Sequence, residues 1–266
     1  MRVPWSVRLV PAAAVRAWFT PPHLPASVAR RDAAAVEGLE PTVVTLPEGT
    51  FSGYSVGDGP LVLALHGWGG RAAQWVPMAQ RLAGEGYRVT ALDLPGHAGG
   101  SRTDLGAVAA AVRGLGHELG RPGVVLGHSF GCLVARVAFS TEPPRVMVMV
   151  APAIDARAAV DVFATRLRLA PWTHRGLVRR LEAWNPQLWA TISDIGAGQL
   201  PGADVLIVHD PADADTPFGD AARLGALRPG TTLLPTHGLG HNKPLSDPAT
   251  LDHVARFVVD RVRANR

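Results

Sequence analysis

Short, wholly apolar runs alternate with longer stretches of helical spacing along most of this chain. Runs of four to six apolar and β-branched residues fall at 42–46, 61–65, 88–92, 123–126, 146–150, 205–208 and 231–234. Between them, 72–83, 105–119, 130–139, 218–227 and 248–262 place apolar residues three and four apart, the period of a helix with one buried face. Strands that are apolar throughout, and not only at every second position, are buried on both sides, as when helices cover both faces of a sheet. The pattern therefore predicts βαβ units in an α/β, doubly wound, mostly parallel sheet. Ligands bind such sheets beyond the carboxyl ends of the strands, so the loops there are where chemistry is expected.

Two regions break the alternation. Residues 1–40 read as an N-terminal arm, with a proline-rich bend at Thr20-Pro21-Pro22-His23-Leu24-Pro25. Residues 152–202 carry no strand signal, while Val160, Phe163, Ala164 and Leu167, then Leu177, Val178, Leu181 and Trp184, keep helical spacing. A small helical lid is expected there, dividing the core into 41–151 and 203–266. Arg8, Pro11 and Arg16 interrupt the apolar N-terminus before it reaches the length of a signal peptide, and no run approaches the roughly 18 apolar residues of a membrane span. A cytoplasmic protein without membrane association is the expectation.

One turn in this frame carries candidate chemistry. Val124, Val125 and Leu126 lead into Gly127-His128-Ser129-Phe130-Gly131, and Leu133, Val134, Val137 and Ala138 lead out with helical spacing. A serine on a sharp strand-to-helix turn has strained dihedrals, and its neighbours two positions either side must be small to clear the strand and helix. Its hydroxyl stands above the sheet edge, and the N–H of Phe130 at the helix start faces the same point. A second copy of the pattern, Gly53-Tyr54-Ser55-Val56-Gly57, runs into Asp58-Gly59-Pro60, which favours a turn and not a helix. Ser55 is therefore assigned to hairpin structure and Ser129 to nucleophilic chemistry.

A serine hydroxyl needs a base, and the base needs a carboxylate to hold its tautomer. His241 lies in a glycine-rich loop, Gly238-Leu239-Gly240-His241, between the last strand and the last helix. The loop after the preceding strand offers three carboxylates, Asp210, Asp213 and Asp215, and Asp155 follows an earlier strand. Spacing alone leaves these alternatives open.

At this point the chain resembles the α/β-hydrolase family, in particular its small lipase–esterase and cofactor-free perhydrolase-like members. The resemblance spans about residues 42–264 and rests on His66-Gly67-Trp68-Gly69-Gly70, Asp93-Leu94-Pro95-Gly96-His97, the Gly127–Gly131 turn, and the Asp213 and His241 loops, in that order. It implies Ser129 as nucleophile, His241 as base and Asp213 as orienting acid, with Asp155, Asp210 and Asp215 as rivals for the last role. It also implies an oxyanion hole from the N–H groups of Trp68 and Phe130, and no cofactor. Cys132 stands where the family often has a glycine. The implied activity is hydrolysis of a small-molecule carboxylic ester or thioester through an acyl-enzyme. The same fold also supports perhydrolysis, amide cleavage, carbon–carbon hydrolysis and non-catalytic ligand binding.

Composition narrows this picture further. With 266 residues, 47% of them hydrophobic, the chain suits one α/β domain. Its single cysteine, Cys132, precludes an intrachain disulfide. The formal charge of +4 comes almost wholly from arginine, Lys243 being the only lysine, without the basic runs or aromatic interleaving of a nucleic-acid binder. No metal-ligand spacing is visible, and His66, His128, His237 and His253 are expected in backbone-bonding, packing or solvated roles. Trp68, Trp172, Trp184 and Trp189 suggest an apolar or aromatic acyl pocket, the alternative being rings that only fasten the lid helices to the body. Arg157, Arg166, Arg168, Arg175, Arg179 and Arg180 are expected as a solvated lid face, the alternative being a lure for anionic substrates.

Overall fold

The computed structural model describes residues 5–23, 25–97, 101–193 and 200–264, with side chains from residue 12 onward. Residues 1–4 and Leu24 of the arm, and 194–199 of the insertion, lie outside the described residues. The strands β1 (Glu40–Leu46), β2 (Gly49–Val56), β3 (Leu61–Leu65), β4 (Arg88–Leu92), β5 (Val124–His128), β6 (Val146–Val150), β7 (Asp204–His209) and β8 (Thr231–Pro235) form one sheet. Its order is β1-β2-β4-β3-β5-β6-β7-β8, with the β1–β2 and β2–β4 pairs antiparallel and the other pairs parallel. The chain thus has the α/β-hydrolase fold.

Along a strand, successive side chains serve opposite layers. Val62 and Ala64 pack towards α3 (Val76–Ala83) and α10 (Pro248–Arg263), whereas Leu63 and Leu65 pack towards α4 (Leu105–Glu118), α5 (Phe130–Ala138) and α9 (Phe218–Leu227). All five residues of β3, β5 and β6 are buried, as their unbroken apolar runs require.

The element with the weakest signal is β2, whose Gly, Ser and Thr content hides a strand that buries only Phe51 and Tyr54. Within it, Ser55 Oγ bonds Thr42 Oγ1 at 2.8 Å and Thr90 Oγ1 at 2.9 Å, tying three strands together. Ser55 is a rung of the sheet.

Between β6 and β7 the chain forms α6 (Ala156–Arg166), α7 (Pro171–Trp184) and α8 (Pro186–Ser193). Asp155 caps α6 by accepting the Arg157 N–H at 2.7 Å, and Pro171 starts α7, where a missing N–H costs nothing. The arm contributes α1 (Trp5–Trp18) and α2 (Ala26–Ala35), and α1 lies along α7. Ala14 and Phe19 join Leu133, Val160, Leu177, Leu181, Trp189 and Ile192 in an apolar cluster separate from the two around the sheet. No helix among the described residues is long and apolar enough to cross a membrane.

Candidate active site

The turn between β5 and α5 has the strain its sequence demands. Ser129 has φ 51 and ψ −117, outside the regions an L-residue normally occupies. Its N–H donates to Val150 O at 3.0 Å, and its carbonyl accepts from Cys132 at 3.0 Å and Ala153 at 3.2 Å, so surrounding backbone holds the strain. A Cβ on Gly131 would stand 2.3 Å from Leu65 O, and one on Gly127 would stand 2.8 Å from Cys132 Cα. Any side chain at either position would push the turn off the sheet.

Facing it is the loop after β3. The Gly67 carbonyl accepts the Gly70 N–H at 2.9 Å and Gly69 has φ 68, a turn that puts a positive φ at its third residue and so selects glycine there. Trp68, the second residue of that turn, keeps its N–H out of the turn's own bond. Phe130, first in α5, likewise has no intrahelical acceptor for its N–H. The Trp68 and Phe130 rings meet edge to face, centroids 5.2 Å apart. His66 anchors the turn from beneath: its Nδ1–H donates to Gly67 O at 2.8 Å and its Nε2 accepts the Leu94 N–H at 2.9 Å. Burial pushes the His66 imidazole down to about 3, so it stays neutral and keeps both bonds.

His241 and Asp213 meet from neighbouring loops. His241 Nδ1 lies 2.8 Å from Asp213 Oδ2, and the Asp213 side chain is fully buried. Burial alone would raise this carboxyl, but hydrogen bonds from His209 and His241 outweigh it and hold it well below the usual carboxylate range. Its other oxygen accepts the N–H groups of Asp215 at 2.7 Å and Thr216 at 3.2 Å. Nothing in the sequence pattern singles out His209, yet its Nε2 approaches Asp213 Oδ2 at 3.3 Å and Thr216 Oγ1 donates to the same oxygen at 2.9 Å. The available signal is the four-residue spacing of His209 and Asp213 at the end of β7.

The rival carboxylates are occupied elsewhere. Asp210 Oδ2 accepts the N–H groups of Leu239 at 2.6 Å and Gly240 at 2.9 Å, clamping the loop that carries His241. Asp215 forms an ion pair with Arg166 of α6, and Asp155 serves as a helix cap. His128 adds a third fastening, donating from Nε2 to the His241 carbonyl at 3.0 Å. Burial pushes His128 down to about 4, so it too is neutral. Asp213, Asp215 and His241 each place one potential ligand atom within 4.8 Å of the others, but Arg166 already neutralises Asp215 and the other two are engaged with each other.

Ser129 opens into a cavity of about 230 Å³. Trp68, Phe130 and Leu133 line it from the core, Phe163, Trp184 and Trp189 from the lid, and Trp18 and Phe19 from the arm. Trp172 lies outside this lining and is 41% exposed. Arg166 and Asp215 are at the cavity as a pair, and Arg157 pairs with Glu182 at 2.7 Å. Arg168, Arg175, Arg179 and Arg180 are exposed.

A parallel sheet with an elbow serine, a histidine loop and a carboxylate loop at its carboxyl end defines a class, and the alpha/beta hydrolase family model matches residues 61–264. The chain belongs to the alpha/beta hydrolase family. It is 32% identical over 100 residues to pimeloyl-[acyl-carrier protein] methyl ester esterase of Neisseria meningitidis, a stretch covering 38% of this chain and 38% of that protein. It is 36% identical over 106 residues to the protein of the same name from Xanthomonas oryzae pv. oryzae, covering 36% and 38%. The match thus spans about two fifths of these relatives. A putative lipase from Acinetobacter baumannii superimposes with a TM-score of 0.67 at 18% identity, covering 90% of this chain and 97% of that one. A bacterial membrane phospholipase A gives 0.67 at 20% identity, covering 95% and 93%. At such identities the structural likeness concerns the fold.

Proposed function

We propose that this chain is a serine hydrolase that cleaves a carboxylic ester, or a thioester, through an acyl-enzyme on Ser129, with His241 as base and Asp213 as orienting acid. The observation that carries this reading is a convergence: the strained Ser129 opens into an apolar cavity, while His241, engaged at Nδ1 by a buried carboxylate, is fastened at its carbonyl by His128, the residue before Ser129. The names of the relatives, esterases matched over part of their length, support ester hydrolysis.

An Nδ1–H donated to Asp213 leaves Nε2 as the basic nitrogen of His241. As Ser129 Oγ attacks the carbonyl carbon, its proton passes to Nε2, and the imidazolium so formed is stabilised by the Asp213 charge. The carbonyl oxygen, now negative, is held by the N–H groups of Trp68 and Phe130, each worth about 3 kcal/mol in sites of this kind. Collapse of the tetrahedral intermediate expels the alkoxide or thiolate, which takes the proton from Nε2. Water, deprotonated by the same nitrogen, then releases the acid.

The test is a fluorophosphonate probe combined with nitrophenyl ester turnover. Ser129→Ala is expected to abolish labelling and lower kcat by roughly 10⁴ or more with an unchanged melting temperature, whereas Ser55→Ala keeps both labelling and rate. Labelling that persists in Ser129→Ala removes the assignment.

A further inference from the structure

The cavity at Ser129 is closed in part by a stretch that precedes the family-matched segment. That segment begins at residue 61, yet Trp18 and Phe19 line the cavity, and Phe19 is only 6% exposed. The Trp18 ring stands edge-on to Phe163 of α6, centroids 5.1 Å apart at 89°, and the Phe19 ring lies 5.4 Å from Trp184 of α7. The Phe19 carbonyl accepts the Thr103 N–H from the core at 2.9 Å. The Arg102 guanidinium sits 5.2 Å from the Phe19 ring centre and 5.0 Å from that of Trp184, a cation between two aromatic faces. Three residues on, Pro22 rests on Gly69 beside Trp68, where a Cβ would come within 2.8 Å of the proline ring. Residues 18–22 are thus seated at once on the lid, the core and the turn opposite Ser129.

We propose that Trp18 and Phe19 form a wall of the acyl pocket and set the acyl chain length accepted, the substrates being esters of uncharged, unbranched acyl groups of medium length. This rests on the reading of Ser129 as nucleophile. The lining is mostly apolar; of its charged members, Arg166 and Asp215 neutralise each other and Asp104 caps α4 by accepting the Ala107 N–H at 3.0 Å, so no cation in it is left to reward an anionic acyl terminus. About 230 Å³ is below the roughly 300–1,000 Å³ of pockets for drug-sized ligands. Each methylene that fits gains about fourfold in binding, and a chain that outgrows the space must displace packed aromatic rings, which protein interiors resist.

The experiment compares kcat/KM for nitrophenyl esters from acetyl to dodecanoyl. In the wild type it should rise by up to about fourfold per methylene, pass a maximum and fall. In Trp18→Ala and Phe19→Ala the maximum should move to longer chains, and the dodecanoyl-to-acetyl ratio should rise roughly tenfold or more. Phe19→Leu should lie between Phe19→Ala and wild type. Ala159→Phe, which fills the cavity from the lid, should move the maximum to shorter chains and reports on the cavity independently of the arm. An unchanged profile in both arm variants, with Ala159→Phe shortening it, overturns the proposal and leaves the esterase reading intact. An equal loss at every chain length also overturns it, because a merely supporting arm would act that way. A wild type that cleaves none of the esters removes the reading of Ser129 and this proposal together.

Discussion

The strand ends and the helical cover above them are held by different forces. Around His241, four hydrogen bonds of 2.6 to 3.0 Å, three accepted by Asp210 and Asp213 and one donated by His128, fix both the loop and the ring. In the cover, Trp18, Phe19, Phe163 and Trp184 meet through ring edges and an intervening guanidinium, and Trp184 stays 57% exposed. Hydrogen bonds are directional and hold a proton-transfer geometry to fractions of an ångström, while aromatic contacts tolerate shifts and substitutions. On the proposed reading, chemistry and substrate fit are separable in this molecule, the first residing in polar bonds at the sheet and the second in replaceable rings.

The sharpest way to break that division is at the buried carboxylate. Asp213→Asn should lower kcat by roughly 10⁴, because the amide favours the wrong tautomer of His241, whereas Asp155→Asn should cost less than about tenfold. The reverse ranking in steady-state rates would move the acid to the lid junction. A smaller effect is expected at Asp210. Its replacement by Ala frees two N–H groups that hold the His241 loop, and displacement of the ring by about 1 Å should reduce kcat by about 10- to 100-fold with little change in KM. A KM effect alone would place Asp210 in substrate binding.

Acid sensitivity tests the polar half in a different way. His66 and His128 are held neutral down to about 3 and about 4, chiefly by burial, while an unfolded chain binds protons at histidine from about 6.5 downwards. The unfolded state therefore gains protons first, and stability should fall as pH drops from 6.5 towards 4, by roughly 1.4 kcal/mol per pH unit for each histidine. Asp213, held low, adds to the decline only below about pH 5, where an unfolded aspartate begins to bind protons that the folded one does not. Urea midpoints at pH 7.5, 6 and 5 should decline, and His128→Asn should flatten the decline. Constant midpoints would contradict the neutral pair.

The smallest effect belongs to the cover. Reversing the charge of Arg175, Arg179 and Arg180 should change kcat/KM by less than about twofold for neutral and carboxylate-bearing esters alike, since exposed charges are weakly coupled through solvent. A salt-dependent loss confined to the anionic esters would show that the lid steers substrate.

Much of the polar half is legible in the sequence, and so are the lid helices of the cover, but the seat of the arm is not. Apolar runs such as Leu61–Leu65 and Val146–Val150 can only be strands covered on both faces, and the glycines beside Ser129 record a backbone approach that no side chain survives. The choice among Asp210, Asp213 and Asp215 is not written locally. All three share one loop, and only its path turns Asp213 inward, Asp210 towards Leu239 and Asp215 towards Arg166. The arm is harder still, because its helix, with Pro11 inside it, is packed by lid residues more than 140 positions away. Its role depends on contacts that no local period reports.

The bond from His128 to the His241 carbonyl joins residues 113 positions apart. Closing so long a loop is entropically costly, and pairing of parallel strands is intrinsically slow. The strand before His241, β8, is the last of the sheet in the chain and pairs only with β7 at its edge. A nascent or refolding chain can thus complete most of its sheet while His241 is still unplaced. Return of ester cleavage after denaturation should accordingly lag behind the return of secondary structure and mark the docking of that edge strand.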